Sequence, residues 1–270
     1  MMGVSYRQGW EQMMTRWIRY EHEGKDAFGT LDSMEIIIYD GDMFANPIAS
    51  GEQIPLVDVK ILPSTKPTKM PALWNNYHTM AEKMGNAKPT HPLYFFKPPN
   101  SFLGSGETIR RPVGYKGKVV YEGEIGIVIG RTCHNADEET AANSIFGYTC
   151  INDVTAVDII SSDESFAQWT RSKGFDGFGV FGPVVSTNLN TSALYVKTFL
   201  NGDERQNYPV SDMIIKPVDI VRLLSWDMTL EQGDIICCGT NVGVGPMKEP
   251  SNKIEVTIEG IGTLSNVFEN

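Results

Sequence analysis

Two glutamates one residue apart, Glu122 and Glu124, stand in the apolar run Val119-Val120-Tyr121-Glu122-Gly123-Glu124-Ile125-Gly126-Ile127-Val128-Ile129, and Asp153 ends a second apolar run, Tyr148-Thr149-Cys150-Ile151-Asn152-Asp153. In a strand, side chains alternate with period two, so Glu122, Glu124 and Gly126 share one face while Tyr121, Ile125, Ile127 and Ile129 line the other. Burying two carboxylates side by side is costly unless a cation neutralises them, and a hard divalent ion with oxygen ligands does so directly. Solvated glutamates on a surface hairpin are the alternative, and Asp153 at the end of a second apolar strand moves the reading toward metal. Lys173 follows in Gln168-Trp169-Thr170-Arg171-Ser172-Lys173-Gly174-Phe175-Asp176. A lysine there is either a solvated surface residue or a point charge for a substrate carboxylate or enolate.

Two further groups of residues bear on chemistry. Gly233 to Gly245 reads as a strand running into a glycine-rich loop around Thr240, where backbone amides and the hydroxyl would cradle an anion; an ordinary turn is the other reading. No Gly-Lys-Ser or Gly-Lys-Thr follows, which argues against a nucleotide site. His22, His91 and His134 read as solvated. His78 has Glu82 four residues on, the helical spacing at which a carboxylate orients an imidazole for acid or base work. There is no Gly-x-Ser-x-Gly elbow and no His-Glu-x-x-His.

The elements that must position these residues are mostly short strands. Alternation over 15–20, 27–31 and 35–39, with turn residues between, predicts a small antiparallel N-terminal sheet. Pro63, Pro67 and Pro71 then break the pattern, so residues 1–70 are read as a small N-terminal domain and 71–270 as the catalytic part. Residues 1–13 read as a leader outside the fold. Tyr77 to Met84 is a helix stopped by Gly85, a second helix runs from Asp137 to Phe146, and β segments follow at 179–185, 194–200, 235–238 and 253–258. Few helices among many short strands predict a β-rich α+β fold, a mixed β-roll or sandwich.

Composition narrows the function classes. The 270 residues, 41% hydrophobic, carry a net charge of -10, which argues against nucleic acid or an anionic membrane as partner; an anionic substrate would need locally placed cations. The four cysteines have no Cys-x-x-Cys spacing, so neither disulfides nor zinc are expected. No apolar stretch approaches the ~20 residues of a membrane span and no signal-peptide pattern opens the chain, so a cytoplasmic protein is expected.

Taken in order, these segments resemble the fumarylacetoacetate hydrolase family in its C-terminal catalytic domain. Tyr121 to Gly130 is similar to that family's Glu-x-Glu strand, Gly147 to Ala156 to its aspartate segment, and Lys173-Gly174-Phe175-Asp176 to its lysine motif. Phe96-Lys97-Pro98-Pro99 and Gly260-Ile261-Gly262-Thr263-Leu264 complete the likeness. The resemblance implies a β-roll with a small N-terminal domain, a homodimer, and Mg2+ or Mn2+ held by Glu122, Glu124 and Asp153. It implies a 2-oxo or 2,4-dioxo acid substrate of the acylpyruvate kind, whose enolate Lys173 stabilises and whose carboxylate Thr240 binds, although Asn241 replaces the proline common after that threonine.

Departures fall where the choice of reaction is made. The family's lid motif Asn-Tyr-x-x-His-x-x-Glu, whose His/Glu pair activates water, places Met80 and Lys83 at those positions here. His78 and Glu82 would replace the pair only from a position turned by roughly 200° around the helix. The arginine and glutamine common after the aspartate motif correspond to Val157 and Ile160, which implies a less anionic or differently shaped substrate tail. A metal-dependent hydrolase or lyase cleaving a carbon-carbon bond, in aromatic catabolism, is the first expectation. A non-hydrolytic isomerase, tautomerase or decarboxylase is the second, and a metal-binding but silent member the third. The stretch from Trp74 to Lys97 is expected to be a lid.

Overall fold

The computed structural model describes residues 14–270; the leader reading of residues 1–13 lies outside the described residues. Four N-terminal strands, Arg16–His22, Lys25–Asp32, Glu35–Asp42 and Ala45–Pro55, form an antiparallel meander. Its first turn is Glu23-Gly24, both at positive φ, the backbone geometry that a two-residue hairpin needs to match strand twist. The meander extends a larger sheet rather than standing apart from it: Arg16 and Trp17 pair with Ser186 and Val185 of Gly179–Ser186. From there the order continues through Ile145–Asp153, Gly123–Ile129, Ile235–Cys237, Met70–Trp74 and Leu93–Lys97.

A five-stranded sheet of Asp203–Pro209, Tyr195–Leu200, Ser251–Ile258, Gly262–Glu269 and Thr108–Arg110 packs beside it, and a three-stranded sheet joins Thr155–Ala156, Val119–Tyr121 and Gly245–Pro246. This is the β-rich α+β roll anticipated from the pattern of short strands. Gly123–Ile129 is buried along its whole length. Ile125, Ile127 and Ile129 enter the main core on one face, while Val128 packs with Ile151, Phe181 and Cys237 on the other. All four cysteines are buried and unpaired.

Four α-helices are present among the described residues: α1 His78–Met84, α2 Glu138–Ser144, α3 Trp169–Lys173 and α4 Pro217–Asp227. α1 ends as expected, with Gly85 in the left-handed conformation. α2 stops at Ser144 instead of Phe146 because Ile145 and Phe146 already belong to the strand Ile145–Asp153. α4 was not anticipated, although Pro217 at its first turn and buried Ile220, Val221 and Leu224 are an ordinary helical signature.

The site is set by a sheet crossing. Val119–Tyr121 belongs to the three-stranded sheet and Gly123–Ile129 to the large one, so Glu122 occupies the break between them. The neighbouring segment makes the same passage between Ile145–Asp153 and Thr155–Ala156. The Asp153 N–H donates to the Glu122 carbonyl at 2.9 Å, which locks the two crossings side by side. Gly123 sits at the crossing with no room for a side chain: a Cβ there would lie 1.9 Å from Thr198 Oγ1 and 3.2 Å from Gln206 Oε1. Gly123→Ala should therefore cost about 1–3 kcal/mol, the usual scale of overpacking, in urea denaturation. Thr198→Ala in the same chain should restore most of that loss, and strictly additive destabilisation would show that the clash is not the cause.

Candidate active site

The crossing brings three carboxylates together. Ligand oxygens of Glu122, Glu124 and Asp153 lie within 4.8 Å of one another, with Glu124 and Asp153 buried and Glu122 partly so. α3 delivers Lys173, whose Nζ is 2.7 Å from Asp153 Oδ2, 3.0 Å from Glu122 Oε2 and 2.6 Å from Thr155 Oγ1. The Thr155 hydroxyl donates to Glu122 Oε1 at 2.7 Å. Glu124 Oε2 accepts the Gly239 N–H at 2.9 Å, and Gly239 holds φ +90°, a conformation that favours glycine.

A second ammonium completes the cluster. Lys97, at the end of the strand Leu93–Lys97, is fully enclosed; its Nζ donates to Asp153 Oδ1 and, at 2.8 Å, to the Lys173 carbonyl. With all five groups ionised, two buried ammoniums against three carboxylates would leave one net negative charge, and the strain of it is unevenly shared. Burial raises the pKa of Asp153, but Lys173 and Lys97 outweigh it and hold the carboxyl below its ordinary range. Burial works against the charge on Lys173 as well, and Asp153 with Glu122 overcomes it and raises the ammonium's pKa. Glu124 makes no ion pair among the described residues: burial, then Asp153 and Glu122, push its carboxyl well above the usual range against the weaker pull of Lys173.

These residues fit a divalent cation. Three carboxylate oxygens with no thiol or imidazole among them are a hard donor set. Glu124 is the group a cation would relieve, and a divalent ion would turn the net charge of the cluster to one positive, suited to an anionic ligand.

Thr240 adjoins the cluster through Gly123. Its hydroxyl donates to the Gly123 carbonyl at 2.9 Å and accepts from Gln206 Nε2 at 2.9 Å. Gln206 also accepts the Gly123 N–H at 3.0 Å and donates to the Asn241 carbonyl at 3.0 Å, so it ties the Thr240 loop to the Glu-Gly-Glu strand. Tyr208 Oη donates to the same Gly123 carbonyl at 2.6 Å.

His78 and Glu82 are not brought together. His78 Nδ1 is buried without a hydrogen-bond partner, Glu82 is exposed, and among the described residues no hydrogen bond or ion pair joins them. The residue beside the cluster is Tyr77, just before α1, whose ring meets Tyr208 edge-on at 5.0 Å and whose phenol is held above its ordinary pKa by burial first and in part by Glu124. The stretch expected to be a lid is also cut short at both ends. Met70–Trp74 and Leu93–Lys97 pair antiparallel, so Trp74 and 93–97 are sheet, and only 75–92 lies between. Thr79 N and Asn241 Nδ2 both donate to Asp212 Oδ2, at 3.0 and 2.9 Å, fixing the start of α1 beside the Thr240 loop.

Sequence reasoning had missed Lys97, Gln206 and Tyr77 as site residues. A lysine in the apolar strand Leu93–Lys97 was the available signal for the first; nothing local distinguishes Gln206 from an exposed polar strand residue.

Known proteins resemble this chain over most of its length. A family model described as fumarylacetoacetate (FAA) hydrolase C-terminal matches residues 69–269, and one described as Rv2993c-like, N-terminal matches 15–63. An uncharacterised protein of Archaeoglobus fulgidus is 39% identical, over 84% of this chain and 88% of its own. An oxaloacetate tautomerase of Bacillus subtilis is 37% identical, over 78% of this chain and 73% of its own. The crystal structure of a 2-hydroxyhepta-2,4-diene-1,7-dioate isomerase from Mycobacterium marinum superposes with a TM-score of 0.85 at 34% identity, covering 94% of this chain and 99% of that one.

Because the Glu124 carboxyl is pushed toward its protonated form in the free protein, metal binding should displace a proton. Affinity for Mn2+ is expected to fall by about tenfold per pH unit below the raised pKa. Calorimetry in two buffers of different ionisation enthalpy reads this directly. Buffer-independent heats would show Glu124 already ionised in the free protein, and metal binding undiminished in Glu124→Ala would show that the ion is held elsewhere.

Proposed function

The chain belongs to the fumarylacetoacetate hydrolase family, and from that membership we propose that it processes an acylpyruvate-like 2-oxo acid through an enolate stabilised by a divalent metal and Lys173. The observation that carries this reading is the buried Lys173 ammonium in contact with two of three clustered carboxylates. Held by Glu122, Glu124 and Asp153, Mg2+ or Mn2+ would supply Lewis-acid polarisation of the oxo group and the carboxylate beside it. Lys173, kept cationic by its carboxylate neighbours, contributes a fixed positive charge where the enolate oxygen develops, and fixed charge in a water-poor site costs no reorganisation during reaction. Thr240 stands next to Gly123 to receive the substrate carboxylate. Its hydroxyl proton must leave the Gly123 carbonyl to do so, and that carbonyl keeps the Tyr208 hydroxyl when it does.

Between the possible reactions, the state of α1 favours tautomerisation or isomerisation over hydrolysis. Moving one proton between the enol oxygen and the carbon next to the oxo carbon requires no activated water, whereas hydrolysis does. His78 lacks a partner at Nδ1, and Glu82 is exposed. The names of the Bacillus subtilis and Mycobacterium marinum proteins, a tautomerase and an isomerase, support the same choice. Carbon-carbon hydrolysis and decarboxylation remain chemistry of the same enolate, and the intact Lys173 opposes a silent metal-binding role.

The reading extends to residues 71–270 as the catalytic part of a homodimer in the cytoplasm, acting in aromatic catabolism. Four buried free thiols suit a reducing compartment, and among the described residues no helix is long and apolar enough to cross a membrane.

A panel of 2-oxo and 2,4-dioxo acids with Mg2+ or Mn2+, followed by enol absorbance and product analysis, tests the proposal: tautomerisation leaves one molecule and hydrolysis yields two. Lys173→Met should lower kcat by about 10²-fold, the scale of losing one electrostatic donor to a developing oxyanion. An unchanged kcat with a lower Tm would make Lys173 structural. His78→Ala should leave tautomerisation intact, and its abolition would place the imidazole in the mechanism after all.

A further inference from the structure

The chain leaves the carboxylate cluster at Asp153 and returns to it at Lys173, so the connection between them borders the site at both ends. Residues 154–172 carry Asp158, Asp163 and Glu164 but a single cation, Arg171. On α3, Trp169 and Lys173 are four residues apart and share a face, while Arg171, two residues from each, points away. From the Lys173 ammonium an aromatic ladder runs outward. Lys173 Nζ lies 5.3 Å from the Phe95 ring centroid, Phe95 stacks on Trp169 at 5.6 Å and 12°, and Trp169 meets Trp74 at 5.7 Å.

Exposure rises along the ladder, from Phe95 at 8% through half-buried Trp169 to Trp74 at 37%. The strand Leu93–Lys97 carries the same gradient on one face, with Lys97 in the cluster, Phe95 in the middle and exposed Leu93 opposite Trp74. Four strand residues span ~13 Å, the length of a phenyl-bearing side chain with a few carbons to spare. Phe166, 71% exposed, adds a further ring to the same connection.

We propose that the substrate is a monoanionic 2-oxo acid whose apolar tail of about aromatic size lies along Phe95, Trp169 and Trp74, and not a 2-oxo diacid. The inference rests on the enolate reading above and narrows it. A distal carboxylate on the buried stretch of this path would lie against the rings of Phe95 and Trp169, and farther out it would meet the acidic connection with Arg171 turned away, so it would lose hydration without gaining a partner of its own. An uncharged tail gains apolar contact at each ring.

The test compares kcat/KM of the full chain with Mn2+ for two compounds, a 2,4-dioxo acid bearing a phenyl group at carbon 4 and oxaloacetate. The phenyl compound should be favoured by at least ~10-fold, the discrimination expected from well-packed apolar contact. Trp74→Ala should shrink that ratio by about fivefold through KM, and Trp74→Arg, which places a cation at the rim, should move it further toward oxaloacetate. Preference for oxaloacetate by the wild type, or a ratio that neither variant changes, overturns the inference while leaving the enolate reading in place. A wild-type protein inert toward both compounds, and toward proton exchange in a short 2-oxo acid, removes the enolate reading and this inference together.

Discussion

The structure is organised around the difficulty of keeping three carboxylates inside an apolar sheet. Glu122, Glu124 and Asp153 come from two segments of the chain that cross between sheets side by side, and nothing in those segments neutralises them. Buried like charges survive only with partners, and removing one partner of a buried ion pair is far more damaging than never having built it. Lys173 and Lys97 are those partners, and each brings an element with it. Lys173 fixes the end of α3. Lys97 fixes the hairpin of Met70–Trp74 and Leu93–Lys97, and by bonding the Lys173 carbonyl it joins the two.

Gly123 imposes the second condition. Its N–H goes to Gln206, its carbonyl takes Thr240 and Tyr208, and the space of a Cβ is filled by Thr198. Three of those partners, Gln206, Tyr208 and Thr198, belong to the five-stranded sheet. The spacing of the two glutamates is therefore set by packing between sheets, with one glycine as the point of contact. This is why the residue between them tolerates no side chain, a stronger statement than that glycine is flexible.

Much of this was legible in the residues. The alternation around Glu122 and Glu124, the apolar run into Asp153, and the short strands bounded by turns all carry local signals, and the β-rich fold follows from them. What was not legible depends on long-range pairing. Lys97 and Asp153 are 56 residues apart, and a lone lysine near the end of an apolar strand looks the same whether it meets solvent or a carboxylate. Gln206 reads as an outward polar residue until the strand Asp203–Pro209 is placed against Gly123. The His78 and Glu82 pair shows a different limit: the i,i+4 spacing is real, but among the described residues no hydrogen bond or ion pair joins the two, and it is Tyr77, at the start of α1, whose ring meets Tyr208 beside the cluster. Periodicity says which residues share a face and is silent on where that face points.

The N-terminal meander has a bearing on solubility. By adding strands to one side of the large sheet, it moves the exposed edge away from the strands that hold the carboxylates and out to Ala45–Pro55. That outermost strand contains Pro47 and ends in Pro55, is almost wholly solvated, and pairs with Glu35–Asp42 through two register irregularities. Missing N–H donors and local bulges are how natural sheets refuse an incoming strand. The meander thus terminates the sheet against intermolecular strand addition, and guards a long hydrophobic sheet from growing, chain upon chain, into an aggregate.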